Sequence, residues 1–304
     1  MSAIETILVA MLAGCLRVST PFLFVSLGEC LTEKSGRINL GNEGALVLGA
    51  MVAYAVSYQT GNPWLGVLGG AAAGGALGLL HGGLCTLARV NDVAMGIAIM
   101  LAGTGMAFFF GKPYVQPSAP QLPSIPLGFW SDVPRIRSAL NVSPLFFLGI
   151  AAAFGLYYIF RGTRMGLRIR IVGDSADAAR ALGLPIERIR LFATGAGSAL
   201  AGIGGAFLSL SYPGSWNEGL SSGQGLMAVA LVVFARWNPL ACIGAALLFG
   251  AAGALGPSLQ TVGITWGYYL FYAAPYVATL VMLIVTVAPG RALAGMPGEL
   301  SIGR

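Results

Sequence analysis

Few side chains in this 304-residue sequence could do chemistry, and their placement limits what kind. Glu43 and His81 are ionisable groups inside long apolar runs, with Arg17 an awkward third. A charge in hydrocarbon is costly unless it is paired or faces water, so such groups mark transport pathways or buried pairs. Asn39 precedes Glu43 by four residues, the spacing of one helical face. Glu43 has two readings: a pathway side chain, or a structural partner of Lys34, Arg37 or backbone N–H groups near the helix start. His81 has no second ligand nearby and reads as a packed, hydrogen-bonded histidine rather than a metal ligand or proton relay. The four cysteines (Cys15, Cys30, Cys85, Cys242) are scattered and form no C-x-x-C pair, which suggests neither a metal site nor a disulfide framework. No G-x-x-x-x-G-K-[ST] loop occurs, so the chain is not its own nucleotide motor. H-E-x-x-H is also absent, which leaves a zinc-dependent enzyme little support.

The elements that must position these groups are membrane helices. The sequence is 56% hydrophobic and 9% charged, against roughly 25% charge in soluble domains. Apolar runs approach or exceed the ~20 residues a helix needs to cross hydrocarbon, and no ~10-residue alternating segments suggest a barrel. The expectation is an all-α transmembrane bundle of about nine spans (eight to ten), forming one domain over 1–304. Its spans lie near 4–27, 39–58, 65–88, 93–111, 142–160, 189–210, 221–235, 239–256 and 264–288. Arg17 and Pro21 leave open whether the first span is broken.

One polar stretch, 161–190, carries seven arginines against three acids, a net of +4 in a chain of net +6. It reads as a basic loop containing a short helix, capped by Asp174 or Ser175, stopped at Gly183 in a left-handed turn and barred from continuing by Pro185. Placing this stretch inside puts thirteen of the 17 Lys/Arg residues on the same side, among them Lys34, Arg37, Arg89, Arg236, Arg291 and Arg304. The topology is then N-out and C-in, and the basic balance is a membrane signal rather than a nucleic-acid footprint. Gly66, Gly70, Gly74, Gly78 and Gly82 recur every fourth residue, as for close helix packing or a subunit interface. Residues 112–141 hold six prolines with Tyr114, Phe129 and Trp130, an outer loop that closes a pore mouth, meets a partner or rests its aromatics at headgroup depth. The later outer loop, with Trp216 and Glu218, invites the same readings.

Ala178-Ala179-Arg180-Ala181-Leu182-Gly183, preceded by Gly173-Asp174 and followed by Leu184-Pro185-Ile186-Glu187-Arg188, resembles the cytoplasmic coupling segment of permease subunits of binding-protein-dependent ABC importers. The likeness continues through Ser35–Gly44, Gly197–Gly205, Gly225–Ala230 and Arg236-Trp237-Asn238-Pro239. Asn39-Leu40-Gly41-Asn42-Glu43-Gly44 looks most like the nucleoside, or simple-sugar, branch. The resemblance implies a type II-like permease in a bacterial plasma (inner) membrane, importing a nucleoside or related purine or pentose compound. A sugar or branched-chain amino-acid permease is the alternative within the family, and a channel or secondary carrier the alternative outside it. Implied partners are an ATP-binding subunit holding ATP and Mg, a second identical or related permease, and an extracytoplasmic solute-binding protein. The chain itself would bind no cofactor and no metal. Ala178, Ala179, Arg180, Gly183 and Arg188 would serve coupling, the two alanines by permitting close docking, the glycine by its turn and the arginines by pairing with acids on the ATPase. Asn39 and Glu43 are the candidate pathway residues.

Overall fold

The apolar runs become helices wherever the sequence supplies a start signal. Asn62-Pro63, Ser143-Pro144 and Asn238-Pro239 each place a capping side chain before a proline in the first turn, where its missing N–H costs nothing. The computed structural model describes residues 3–87, 90–129, 132–133, 136–137, 140–261, 263, 271, 273–286 and 295–300. Within them run α1 (Ala3–Glu33), α2 (Asn42–Thr60), α3 (Pro63–Leu84), α4 (Asp92–Gly111), α5 (Pro144–Gly162), α6 (Arg164–Asp174), α7 (Ala176–Ala181), α8 (Ile186–Leu210), α9 (Gln224–Phe234), α10 (Pro239–Gln260) and α11 (Ala274–Thr286). A two-residue antiparallel pair, β1 (Ile125–Pro126) with β2 (Asn141–Val142), pins the proline-rich loop.

Helix α2 is packed by α3, α8 and α4. Its neighbours are protein rather than lipid, which explains why it carries Asn42, Glu43, Tyr54 and Ser57, all buried. The glycine stripe of α3 faces α2 and α8: a Cβ on Gly70 would lie 2.8 Å from the Gly49 carbonyl oxygen and 3.1 Å from that of Gly202. Close packing within the chain is therefore what the four-residue glycine repeat does here.

Among the described residues, six helices are long and apolar enough to cross a membrane: those within α1, α3, α4, α5, α8 and α10. Of the remaining expected spans, α2 falls outside this set and α9 has 11 residues, about 16 Å, or half of a ~30 Å hydrocarbon core. Of the ninth, 264–288, the described residues include 271, 273 and α11, and the rest lies outside them. Helix α1 runs through Arg17 and Pro21 without interruption, so the first span is one helix.

The basic segments gather at one end of the bundle, as the charge distribution requires. Arg37 pairs with Asp92 at 2.7 Å and Glu187 at 3.2 Å, Lys34 donates to the Gly295 carbonyl, and Arg190 pairs with Glu299 at 3.0 Å. Arg89, Arg291 and Arg304 lie outside the described residues. At the opposite end the proline-rich loop folds onto the helices. Tyr54 and Ser57 donate to the carbonyls of Pro117 and Pro120, and the Leu122 N–H donates to Leu210. Phe129 is 78% exposed, whereas Trp216, expected in a surface loop, is buried against Gly111. Trp130 falls outside the described residues.

Candidate functional site

The 161–190 segment folds as two helices where its punctuation suggested one. Thr163 caps α6 by accepting from the Gly166 N–H, and Ser175 caps α7 by accepting from the Ala178 N–H. Gly183 takes φ +68°, with Gly183 N–H bonded to the Arg180 carbonyl and Leu184 N–H to that of Ala179, the two bonds of a left-handed helix stop. Helix α6 is amphipathic: Ile169 and Val172 are buried in the core while Arg164, Leu167, Arg168 and Arg170 are exposed. This segment therefore lies across the end of the bundle as a rigid corner.

The five expected coupling residues do not share one face. Ala178, Arg180, Gly183 and Arg188 are exposed, but Ala179 is fully buried in the core cluster. The expectation that both alanines line a docking surface is corrected: α7 must bury one stripe to stay attached, and Ala176 and Ala179, three apart, are that stripe. Arg180 pairs with Asp177 of its own helix at 2.6 Å, with both side chains largely exposed. The outer face of α7 thus presents Asp177, Ala178, Arg180 and Ala181, and ends in Leu182, 64% exposed.

A clamp holds this corner to the bundle. Glu299 accepts from the Ala176 N–H at 2.7 Å through one carboxylate oxygen and from Arg190 through the other, while Arg190 also donates to the Ser35 carbonyl. Gly173 packs directly on the Lys34 carbonyl, and Gly298 on that of Asp174. Burial lowers the pKa of Lys34 from its ordinary value, with Cys30, Asp174 and Arg170 as lesser influences. Burial, reinforced by Asp92, pushes the Cys85 thiol up to about 12, so it stays protonated and unreactive near neutral pH.

From this end a column of buried polar groups runs inward. Glu33 accepts from the Trp237 indole N–H. One turn along α1, Glu29 accepts from the Asn39 N–H at 2.9 Å and from the Asn42 carboxamide at 2.6 Å, and Ser198 bonds to Asn42 at 2.7 Å and Asn39 at 2.9 Å. Glu43 comes next: its carboxylate accepts from the Ser221 hydroxyl and the Gly225 N–H, each at 2.6 Å. A Cβ on Gly225 would lie 2.5 Å from the Glu43 Cα, so the starts of α2 and α9 touch along their backbones. Trp237, just past the end of α9, touches Glu33 at the basic end, while the start of α9, about 16 Å along the helix, meets Glu43.

Glu43 is therefore paired, but not with Lys34 or Arg37: its partners come from the start of a different helix, where donor N–H groups are in excess. Asn39 precedes the first turn of α2 and does not share a helical face with Glu43, correcting the four-residue spacing argument. His81 is fully buried as expected, yet neither ring nitrogen has a hydrogen-bond partner among the described residues. The hydroxyls packed beside this turn of α3 are committed elsewhere, Ser198 to Asn42 and Thr194 to the Arg190 carbonyl. Glu29, Glu33, Ser198, Arg190 and Glu299 were not singled out from the sequence. The i, i+4 spacing of Glu29 and Glu33 is a visible signal, but the expected first span ends near 27 and leaves both beyond the helix, whereas they form the last turns of α1.

Comparison with known proteins follows the same lines. Residues 11–289 match the family described as branched-chain amino acid transport system / permease component. The chain is 34% identical to a putative glucose ABC transporter permease of Haloferax volcanii, over 84% of this chain and 79% of that one. It is 30% identical to a guanosine ABC transporter permease of Bacillus subtilis over 92% of each chain. With a nucleoside ABC transporter permease of Lactococcus lactis the identity is 27%, over 97% of this chain and 96% of the relative.

Proposed function

The chain belongs to the branched-chain amino acid transport system / permease component family, the membrane permeases of ABC transporters, and we propose that it imports a nucleoside or a related purine or pentose compound. The near end-to-end match to two relatives named for nucleoside and guanosine transport supports this cargo. A glucose permease relative of higher identity and shorter coverage keeps sugar as the second reading.

In this reading two permease copies or relatives form the pathway, and separate ATPase subunits holding ATP and Mg dock on the exposed face of α7. An extracytoplasmic binding protein delivers cargo to the proline-loop end. The basic end faces the cytoplasm of a bacterial plasma membrane, giving N-out and C-in. Closure of the ATPase dimer favours one placement of α7, and a ligand shifts such an equilibrium only through differential contacts with its two states. Ala178 leaves room for close approach, Arg180 and Arg188 offer charge, and Gly183 with Leu182 forms the tip. Because Glu299, Arg190 and Gly173 tie this corner to α1 and α8, a push on α7 reaches the polar column rather than dissipating in a loose loop. Asn39 and Glu43 act beside the pathway in this scheme, Glu43 as the tie between α2 and α9.

Purification of the complete transporter tests the reading. The expected result is co-purification of an ATPase subunit and uptake of radiolabelled nucleoside that stops on ATP depletion with ion gradients maintained. Uptake that persists without ATP, and no ATPase subunit bound, would show a secondary carrier or channel instead.

A further inference from the structure

Two cavities adjoin at the proline-loop end and share one wall. The guanidinium carbon of Arg17 stands 5.7 Å from the centroid of the Tyr212 ring, and both residues line both cavities. The first cavity, about 320 Å³, is the more polar of the two: beside Leu16, Leu122, Val142 and Phe207, Gln121 and Asn141 contribute carboxamides, and Thr20, Ser124, Ser143 and Ser211 contribute hydroxyls. The second, about 280 Å³, is bounded by Phe22, Pro213, Met227, Pro257 and Tyr276, with Gln224 at the start of α9. The Gln224 side-chain oxygen is buried without a hydrogen-bond partner among the described residues. Its neighbour Gly225 is the residue whose N–H Glu43 holds, so the second cavity ends where the buried polar column begins.

The two chemistries differ in the way the halves of a nucleoside differ. A ribose hydroxyl both donates and accepts, and carboxamides and hydroxyls answer it in either sense. A flat heteroaromatic base is met by apolar and aromatic walls with one unused acceptor, which suits an N–H on the base edge. Each volume lies at or just below the lower end of the range for small-ligand pockets, as expected of sites for half a ligand. Arg17, a charge within a membrane span, faces both cavities rather than lipid.

We infer that these cavities form a bipartite entry site for a nucleoside, with the ribose in the first, the base in the second and the Arg17–Tyr212 pair between them. The assignment rests on the nucleoside reading and adds to it the residues that recognise each half. A free sugar would use the first cavity alone.

The test is initial uptake in cells that lack other nucleoside transporters and carry the complete system, comparing each permease variant with wild type so that the binding protein's own preferences cancel. Gln224→Leu is expected to lower guanosine uptake efficiency about tenfold or more and to leave purine riboside, whose base offers no N–H donor at its six-membered ring, near wild type. Asn141→Ala is expected to lower guanosine uptake similarly and to leave 2′,3′-dideoxyguanosine nearly unchanged. A variant that fails to reach the membrane is replaced by Gln224→Met or Asn141→Ser. Equal losses for all three probes at wild-type protein levels, or no loss for any, would overturn the site. Wild-type cells that take up no nucleoside at all would instead overturn the cargo reading on which it rests.

Discussion

The two ends of the bundle are held together by different chemistry. The basic end carries ion pairs that bridge distant segments: Arg37 to Asp92 and Glu187, and Arg190 to Glu299, with the Glu299 carboxylate also capping α7. The proline-loop end is tied by neutral bonds to carbonyls, such as Tyr54 to Pro117, Ser57 to Pro120 and Gln121 to Gly214, and it encloses two cavities. Partly buried charge pairs with several ligands make a stiff corner, whereas prolines that donate no N–H leave a loop fastened at a few points. The difference suits the proposed scheme, in which one end receives force and the other admits cargo. Glu43 sits between them, where the first turns of α2 and α9 meet.

Substitutions can break or sharpen this contrast. The largest effect is expected from Ala179→Asp, which puts an unpaired carboxylate into the core beneath α7 and should cost on the order of 3 kcal/mol or more. Thermal unfolding in detergent reads it; a protein as stable as wild type that has lost only its coupling would mean Ala179 faces the ATPase after all. Glu43→Gln keeps the shape but sets a carboxamide NH₂ among donors, at roughly 2 kcal/mol. Both stability and uptake should fall, and unchanged uptake in a destabilised protein would leave Glu43 a purely structural tie.

A matched pair probes the two ends directly. Tyr54→Phe removes the hydroxyl that donates to Pro117 and accepts from the Ala119 N–H, and should lower stability by about 1–2 kcal/mol while substrate-stimulated ATP hydrolysis persists. Glu299→Gln weakens the Arg190 pair and the cap on α7 by a similar or smaller amount, yet should depress that stimulated hydrolysis strongly. Equal effects on hydrolysis from both variants would erase the proposed division between the ends. The smallest change is expected from Arg180→Ala: its ion pair with Asp177 is exposed, so stability should move by less than about 0.5 kcal/mol. Affinity for the ATPase subunit, and its salt dependence, should fall if Arg180 is a docking contact.

Much of this was legible along the chain. Ser175, Gly183 and Pro185 announced the short helix, because caps, left-handed turns and missing N–H groups act within a few residues. Six of the nine expected spans match helices long and apolar enough to cross. The span near 221–235 is an 11-residue apolar helix in the structure, shorter than the expected span, because hydropathy reports apolar character and not helix length. The first span is expected to end near 27, whereas Gly28 to Glu33 continue α1 and their acids are buried in protein.

What the sequence determined by itself was the membrane class, the gathering of basic segments on one side and the capped short helix within 161–190, since composition, charge placement and helix punctuation are local properties. Only the tertiary structure decided that Ala179 faces inward while Ala178 faces out, that Glu299 caps a helix 123 residues away, and that Glu43 is tied to Ser221 and Gly225, 178 and 182 residues on. Those choices belong to packing: which face a short helix buries, and which distant donor satisfies a buried carboxylate, depend on surfaces that exist only once the helices have come together.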